Sequence, residues 1–161
     1  MKLKSLFASS LLVMCGCLWA DTFTEGSNAF NNKDYRVALE KWKLSANSGD
    51  SYASFNIGTI YYFGLGTQQN YYEALQWFKK ATFVEDGRAE FLIGDMYLKG
   101  QGLSQDWVGA KVWLTISELK GNKNASKVLP SVDASLASNQ LAIANAQIEH
   151  CKSKKLISCS F

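Results

Sequence analysis

Ala53 to Ala81 reads ASFNIGTIYYFGLGTQQNYYEALQWFKKA, and the same skeleton returns 36 residues further along the chain. Ala53 recurs as Ala89, Gly58 as Gly94 and Tyr61 as Tyr97. Gly64 and Gly66 recur as Gly100 and Gly102, Ala74 as Ala110 and Trp77 as Trp113. A fixed period of this size is the mark of stacked supersecondary units. Within each unit the apolar residues recur at helical spacing. Each unit therefore reads as a helix pair. Ser51–Phe63 and Tyr71–Phe83 flank a loop at 64–70, and Gly87–Lys99 and Trp107–Leu119 flank a loop at 100–105.

The repeating residues have mechanical reasons to repeat. Gly58 and Gly94 fall inside helices, where glycine costs about 1 kcal/mol against alanine. Such a residue is expected where a second helix must come close, and Ala53, Ala74, Ala89 and Ala110 serve the same end. Tyr61, Trp77, Tyr97 and Trp113 read as the large side chains that fill the remaining space. The loop glycines allow backbone angles closed to other residues. Asn70 and Asp106 are placed to cap the second helix of each pair.

Outward from this centre the pattern loosens. Residues 21–50 read as a shorter hairpin, with a helix at 24–30, a turn at 31–34 and a helix at 35–45 capped by Asp34. Gly49 is suited to end that hairpin, and Asp50 or Ser51 to cap the next helix. Residues 123–161 read as a terminal cap, which a repeat array needs to cover its last apolar face. Within it a helix at 123–129 is expected to kink or restart at Pro130, because proline lacks a donor and clashes with the turn before it. A last helix, started by Ser138, turns Leu141, Ala144, Ile148 and Cys151 inward.

The motif A-x-F-x-I-G-x-x-Y-x-x-G-x-G, followed by an aromatic residue and A-x-x-W, resembles the Sel1-like repeat family, a relative of the tetratricopeptide repeats. The resemblance covers 51–86 and 87–122. Residues 21–50 resemble a tetratricopeptide hairpin through Gly26, Tyr35, Ala38 and Trp42. The fold implied is all-α: an α-solenoid of stacked antiparallel hairpins. The function implied is that of a scaffold or adaptor, in bacteria often in the envelope or in contact with other cells. Cysteine-rich exported relatives have been linked to β-lactam binding or hydrolysis, but those carry a cysteine pair in each repeat. Neither 51–86 nor 87–122 contains a cysteine, so such an enzyme stands as the alternative reading, beside an envelope factor acting near peptidoglycan.

The first 20 residues read as a signal peptide. Lys2 and Lys4 precede an apolar run from Leu6 to Leu18, and Leu18-Trp19-Ala20 offers a cleavage site before Asp21. The run is short for a membrane span. Cys17 after Gly16 offers an alternative, a lipid-anchored start. Export to the periplasm or beyond the cell is thus the expectation. The whole chain carries a formal net charge of +3. Loss of Lys2 and Lys4 brings it close to neutral, which gives no argument for nucleic acid. Cleavage would leave Cys151 and Cys159 as an even pair. In an oxidising compartment such a pair reads first as a disulfide, with free thiols and redox or metal work as alternatives.

No catalytic constellation stands out. His150 is the single histidine, and one helical step separates it from Cys151, about 100° around the axis. The glutamates are scattered, and the Gly-x-Gly loops follow no strand, which weakens a nucleotide reading. No metal or cofactor is expected, and the chain reads as a binding protein rather than an enzyme. In tetratricopeptide relatives the ligand lies along the first helices of the pairs. Carried over by that resemblance, the inner positions are Tyr52, Phe55, Thr59 and Tyr62, then Arg88, Phe91, Asp95 and Leu98. Phe55 and Phe91 repeat and so belong to the scaffold. Tyr52, Thr59, Tyr62, Arg88 and Asp95 change in chemistry between repeats, as a groove specific for one protein or peptide partner would require.

Overall fold

The computed structural model describes residues 21–83 and 86–154. Among these residues there are eight helical segments and no strand. Residues 21–31 form α1, and Tyr35–Asn47 form α2. Ser51–Phe63 (α3) pairs with Tyr71–Lys80 (α4), and Arg88–Lys99 (α5) with Trp107–Leu119 (α6). Lys123–Ser135 (α7) packs on α6, and so does Ser138–Ser153 (α8). The result is the expected all-α array of consecutive helical hairpins.

Helix starts follow the same period as the core. Asp34, Asn70 and Asp106 accept backbone N–H bonds at the starts of α2, α4 and α6. Asp50, Asp86 and Asn122 do so at the starts of α3, α5 and α7. Asp50 binds the amides of Tyr52 and Ala53 at 2.9 and 3.1 Å and also takes the Ser45 hydroxyl at 2.7 Å. Asp50→Ala is expected to cost about 1–2 kcal/mol, near the upper end for a lost cap, because the hydroxyl bond goes too. Chemical denaturation of the two proteins checks this, and a loss under about 0.5 kcal/mol would refute the role.

Three apolar clusters run along the array. The first joins Ala38 and Trp42 to Ala53, Ile57 and Ile60. The middle one gathers Ala74, Leu75, Phe78, Ile93, Met96, Val112, Trp113 and Ile116, closed by Ala144, Ile148 and Cys151 of α8. The last joins Leu114 to Ala125, Leu129, Val132 and Leu136. The glycines inside helices do permit close approach. A methyl on Gly58 would sit 2.6 Å from the Phe78 ring, and one on Gly94 2.7 Å from Leu114. Gly26 stands in the same way 2.6 Å from Trp42.

Some expectations need correction. Of the four aromatic knobs Trp113 is buried, while Tyr61, Trp77 and Tyr97 pack against the clusters from partly exposed positions. The side chains that fill the space are one position on, Phe78 and Leu114, together with Ile57, Ile60, Ile93 and Met96. Helix α4 stops at Lys80 and not at Phe83. The Thr82 carbonyl turns instead to the Lys120 ammonium, and Phe83 is left exposed. Helix α1 already covers residue 21. Helix α7 runs unbroken through Pro130. Pro130 and Ser126 both lie on the exposed side, so the carbonyl that proline leaves unbonded can turn to water. Ser138 does not cap α8: Ala137 holds that place, and its N–H donates to the Gln140 side chain at 3.0 Å.

Candidate partner-binding face

The first helices of successive hairpins, α1, α3 and α5, present one face. On α3 the residues Tyr52, Phe55, Thr59 and Tyr62 follow helical spacing, and on α5 so do Arg88, Phe91, Asp95 and Leu98. Two of the five predicted groove residues meet directly. The Tyr62 hydroxyl lies 3.4 Å from Asp95 Oδ2 and 3.2 Å from Gln101 Oε1. Asp95 also takes the Lys99 ammonium at 2.6 Å. Burial, helped by the Asp95 charge, raises the Tyr62 hydroxyl above its ordinary range, and the bond to Asp95 raises Lys99.

Arg88 lies over the Phe55 ring at 4.7 Å while its Nε binds Asp86 at 2.7 Å. Phe55, set aside as scaffold, is therefore what carries Arg88. Between α3 and α5 the face is thus a filled, charged seam. Tyr52 stands apart at the start of α3, 54% exposed.

Between α1 and α3 the face is open. A cleft of about 180 Å³ is lined by Ser27, Phe30 and Asn31 from α1, by Asn56 and Thr59 from α3, and by Trp42 from α2. Of the predicted residues only Thr59 faces it. Ser27 and Phe30 were legible by a different shift. Gly26 corresponds to Gly58 at 32 residues, because the turn between α1 and α2 is shorter than the later loops by four residues. At that shift Ser27 aligns with Thr59 and Phe30 with Tyr62. No periodic signal points to Asn31 or Asn56.

A second feature that the sequence did not announce is the junction below α5. Glu90 is 1% exposed, and its Oε1 binds Lys120 Nζ at 2.7 Å. Its Oε2 is buried and has no hydrogen-bond partner among the described residues. Burial pushes the Glu90 carboxyl above the ordinary carboxylate range, and Lys120 opposes that push. Nearby, the Ser117 hydroxyl and the Asn122 amide both donate to the Gly87 carbonyl.

His150 is exposed near the end of α8. Cys151 is buried in the middle cluster. Cys159, Cys17 and the leader lie outside the described residues. Among the described residues no group of His, Cys, Asp and Glu could hold a metal ion, and no helix is long and apolar enough to cross a membrane.

Fold and face together define an α-solenoid built of helical hairpins. Residues 51–82 and 87–122 each match the Sel1 repeat family, so the chain carries two Sel1 repeats. One similar solved structure is c5321, described as a protective antigen present in uropathogenic Escherichia coli strains and displaying an SLR fold. It is 21% identical, with a TM-score of 0.73, over 89% of this chain and 34% of that one. Another is a Sel1 repeat protein from Oxalobacter formigenes, 26% identical with a TM-score of 0.56, over 59% of this chain and 39% of that one. The chain thus spans little more than a third of either structure's length. No curated protein matches it in sequence.

Proposed function

We propose that this chain is an exported, non-catalytic scaffold that binds a segment of another protein along the face of α1, α3 and α5. The observation that carries the reading is the open cleft between α1 and α3 beside a seam of non-repeating side chains, Tyr62, Arg88 and Asp95. Stacked helical repeats offer curved surfaces of this kind for partner binding. The leader at residues 1–20 supports export to the periplasm or the medium. A Cys151–Cys159 disulfide would suit that compartment. Closing so short a loop would contribute about 2.5 kcal/mol.

Partner capture from the envelope fraction of the native cell, with the purified chain as bait, tests the reading. Binding is expected to fall about tenfold or more in Arg88→Glu, which puts a carboxylate beside Asp86 and reverses the charge offered to the partner. A captured partner that Arg88→Glu and Tyr62→Ala both leave unaffected would move the binding surface elsewhere. Mass measurement of the secreted chain tests export at the same time. A start at Asp21 and the loss of two hydrogens are expected; a lipidated start at Cys17 would refute the soluble form.

A further inference from the structure

We propose that the edge of the array where one hairpin passes into the next, around Phe83 and Leu119, docks on the surface of an anionic lipid bilayer. This edge is distinct from the partner-binding face, and docking there does not depend on that reading.

Connectivity sets the edge. The helices alternate in direction, so the links after α2, α4 and α6 fall on one side, and the loops inside the hairpins on the other. Successive links touch. The Lys120 ammonium donates to the Thr82 carbonyl, and the Ser117 hydroxyl and Asn122 amide donate to the Gly87 carbonyl. With Thr82 held in this way, Phe83 is left outside the core, 63% exposed. Leu119, beside Lys120, is 49% exposed. A single exposed apolar side chain is ordinary. These two stand in the same place in successive repeats, and each adjoins one of two residues that meet. The first hairpin carries Asn47 in that place. The apolar pair is thus confined to the later part of the array.

Positive charge is confined there too. Residues 120–161 carry six lysines against two carboxylate residues, while 21–119 carry nine basic residues against twelve acidic ones. The near-neutral total conceals this separation. Lys79 and Lys80 end α4, and Lys123 and Lys127 share one side of the first two turns of α7. Helix α7 ends on the far side, where Asp133 pairs with Lys111 near the start of α6. Helix α8 therefore returns to the edge and closes with Lys154. None of these five lysines makes an ion pair among the described residues. Of the described carboxylates nearby, Asp86, Glu90 and Glu149 are taken by Arg88, Lys120 and Lys152, which leaves Glu118.

Exposed Phe and Leu beside unpaired lysines match the chemistry of an anionic bilayer. Its headgroup layer accepts apolar side chains to a shallow depth and offers phosphates to ammonium groups. Lysine stems can lie along the apolar pair while their heads stay in water. The opposite edge also exposes rings, those of Phe63 and Tyr72. There, however, Asp34, Glu73 and Asp106 outnumber Lys33 among the groups without an ion pair, and an anionic surface would repel them. No helix among the described residues is long and apolar enough to cross a membrane, so the contact is a peripheral one.

The test is co-sedimentation of the exported chain with vesicles, one set of phosphatidylcholine alone and one with about a third phosphatidylglycerol. Parent and variants share one N-terminus, so ratios between them report the edge. The anionic set is expected to bind about tenfold or more tighter than the neutral set. That advantage should shrink as salt rises from about 0.05 to about 0.5 M. Lys123→Glu should weaken binding at least about fivefold, the value of one basic residue near such a surface. It places an acid in the first turn of α7, where the helix dipole favours it, so the fold is kept. Phe83→Ser should weaken binding about tenfold, and Tyr72→Ser on the opposite edge less than about twofold. All three variants should melt with the parent.

Equal binding to the two vesicle sets, equal losses in Phe83→Ser and Tyr72→Ser, or no binding at all would overturn lipid docking. So would a dimer, measured without vesicles by sedimentation equilibrium, that Phe83→Ser abolishes, since the edge would then belong to a second copy of the chain.

Discussion

Lys120→Met is expected to destabilise the protein by about 3–5 kcal/mol at neutral pH, the cost of leaving a buried carboxylate without its cation. Methionine keeps the volume and removes the charge. At the junction between α4 and α5, Lys120 binds Glu90 and also donates to the Thr82 carbonyl. The second bond is lost at every pH. The first is lost only while Glu90 is ionised, which gives the prediction its sign.

Burial raises Glu90 in the folded state above its ordinary value of 4.5. A raised group binds its proton more tightly when folded than when unfolded. Its contribution to stability is therefore fully present below pH 4.5 and is lost as pH rises through the folded value. Removing Lys120 takes away the main influence holding that value down, so the loss should move to higher pH and grow. Denaturation of Lys120→Met from mildly acidic to neutral pH should show the gap from the parent narrowing as pH falls. Glu90→Gln keeps a polar group facing Lys120 and should remove the part of the pH dependence that Glu90 supplies. A Lys120→Met gap that stays constant with pH, or stays under about 1 kcal/mol at pH 7, would refute the account, since a buried unpaired charge costs more.

This pair also shows where sequence reading stopped. Glu90 looks like one more surface glutamate on an amphipathic helix. Its partner lies 30 residues away, and the preceding repeat carries Ser54 in the corresponding place. Nothing local or periodic joins the two. The fold was legible because its devices are local and repeated: a side-chain bond at the start of each of α2 to α7, a glycine under Phe78 and again under Leu114, a positive-φ glycine ending α3 and α5.

The candidate site was legible only in part, for the same reason. The 36-residue shift finds Thr59, Tyr62, Arg88 and Asp95. It passes over Ser27 and Phe30, because a turn four residues shorter moves α1 to a shift of 32. Asn31 and Asn56 have no counterpart to compare with, and chemistry that occurs once leaves no periodic trace. Pro130 misled in the opposite way. The helix continues through it, and the carbonyl it frees, that of Ser126, lies on the exposed side where water can take the bond.

Gly102→Ala carries the other large expected effect, and it reports on coupling between repeats. Gly102 has φ +75°, a left-handed backbone that a side chain strains by roughly 1–2 kcal/mol. Strain is half the matter. A methyl there would also lie 2.6–2.7 Å from the Tyr71 carbonyl group and the Tyr72 nitrogen, and backbone cannot swing aside as a ring can. Overpacking of this kind costs about 1–3 kcal/mol more.

Gly121 supplies the control. Its φ is +88°, and nothing among the described residues lies within 4 Å of where its methyl would stand. Gly121→Ala should show the strain alone, and the difference between the two variants isolates the contact. That contact belongs to an interface, since Gly102 sits in the loop of one repeat and Tyr71 opens the second helix of the repeat before. The preceding loop does the same, Gly66 pressing on Tyr35 of the first hairpin.

In a linear array stability is a sum of unit terms and neighbour terms, and cooperativity comes from the neighbour terms. Gly102→Ala should thus do more than lower the midpoint by about 6–12 °C, the shift for roughly 3 kcal/mol in a chain of this size. It should also broaden the denaturant transition and reduce its m-value, as the repeat at 51–82 and the repeat at 87–122 begin to unfold separately. Gly121→Ala should shift the midpoint less and leave the slope alone. Equal losses in the two variants, with equal slopes, would show that the loop glycines serve only the turn, and that the repeats are coupled through their apolar clusters alone.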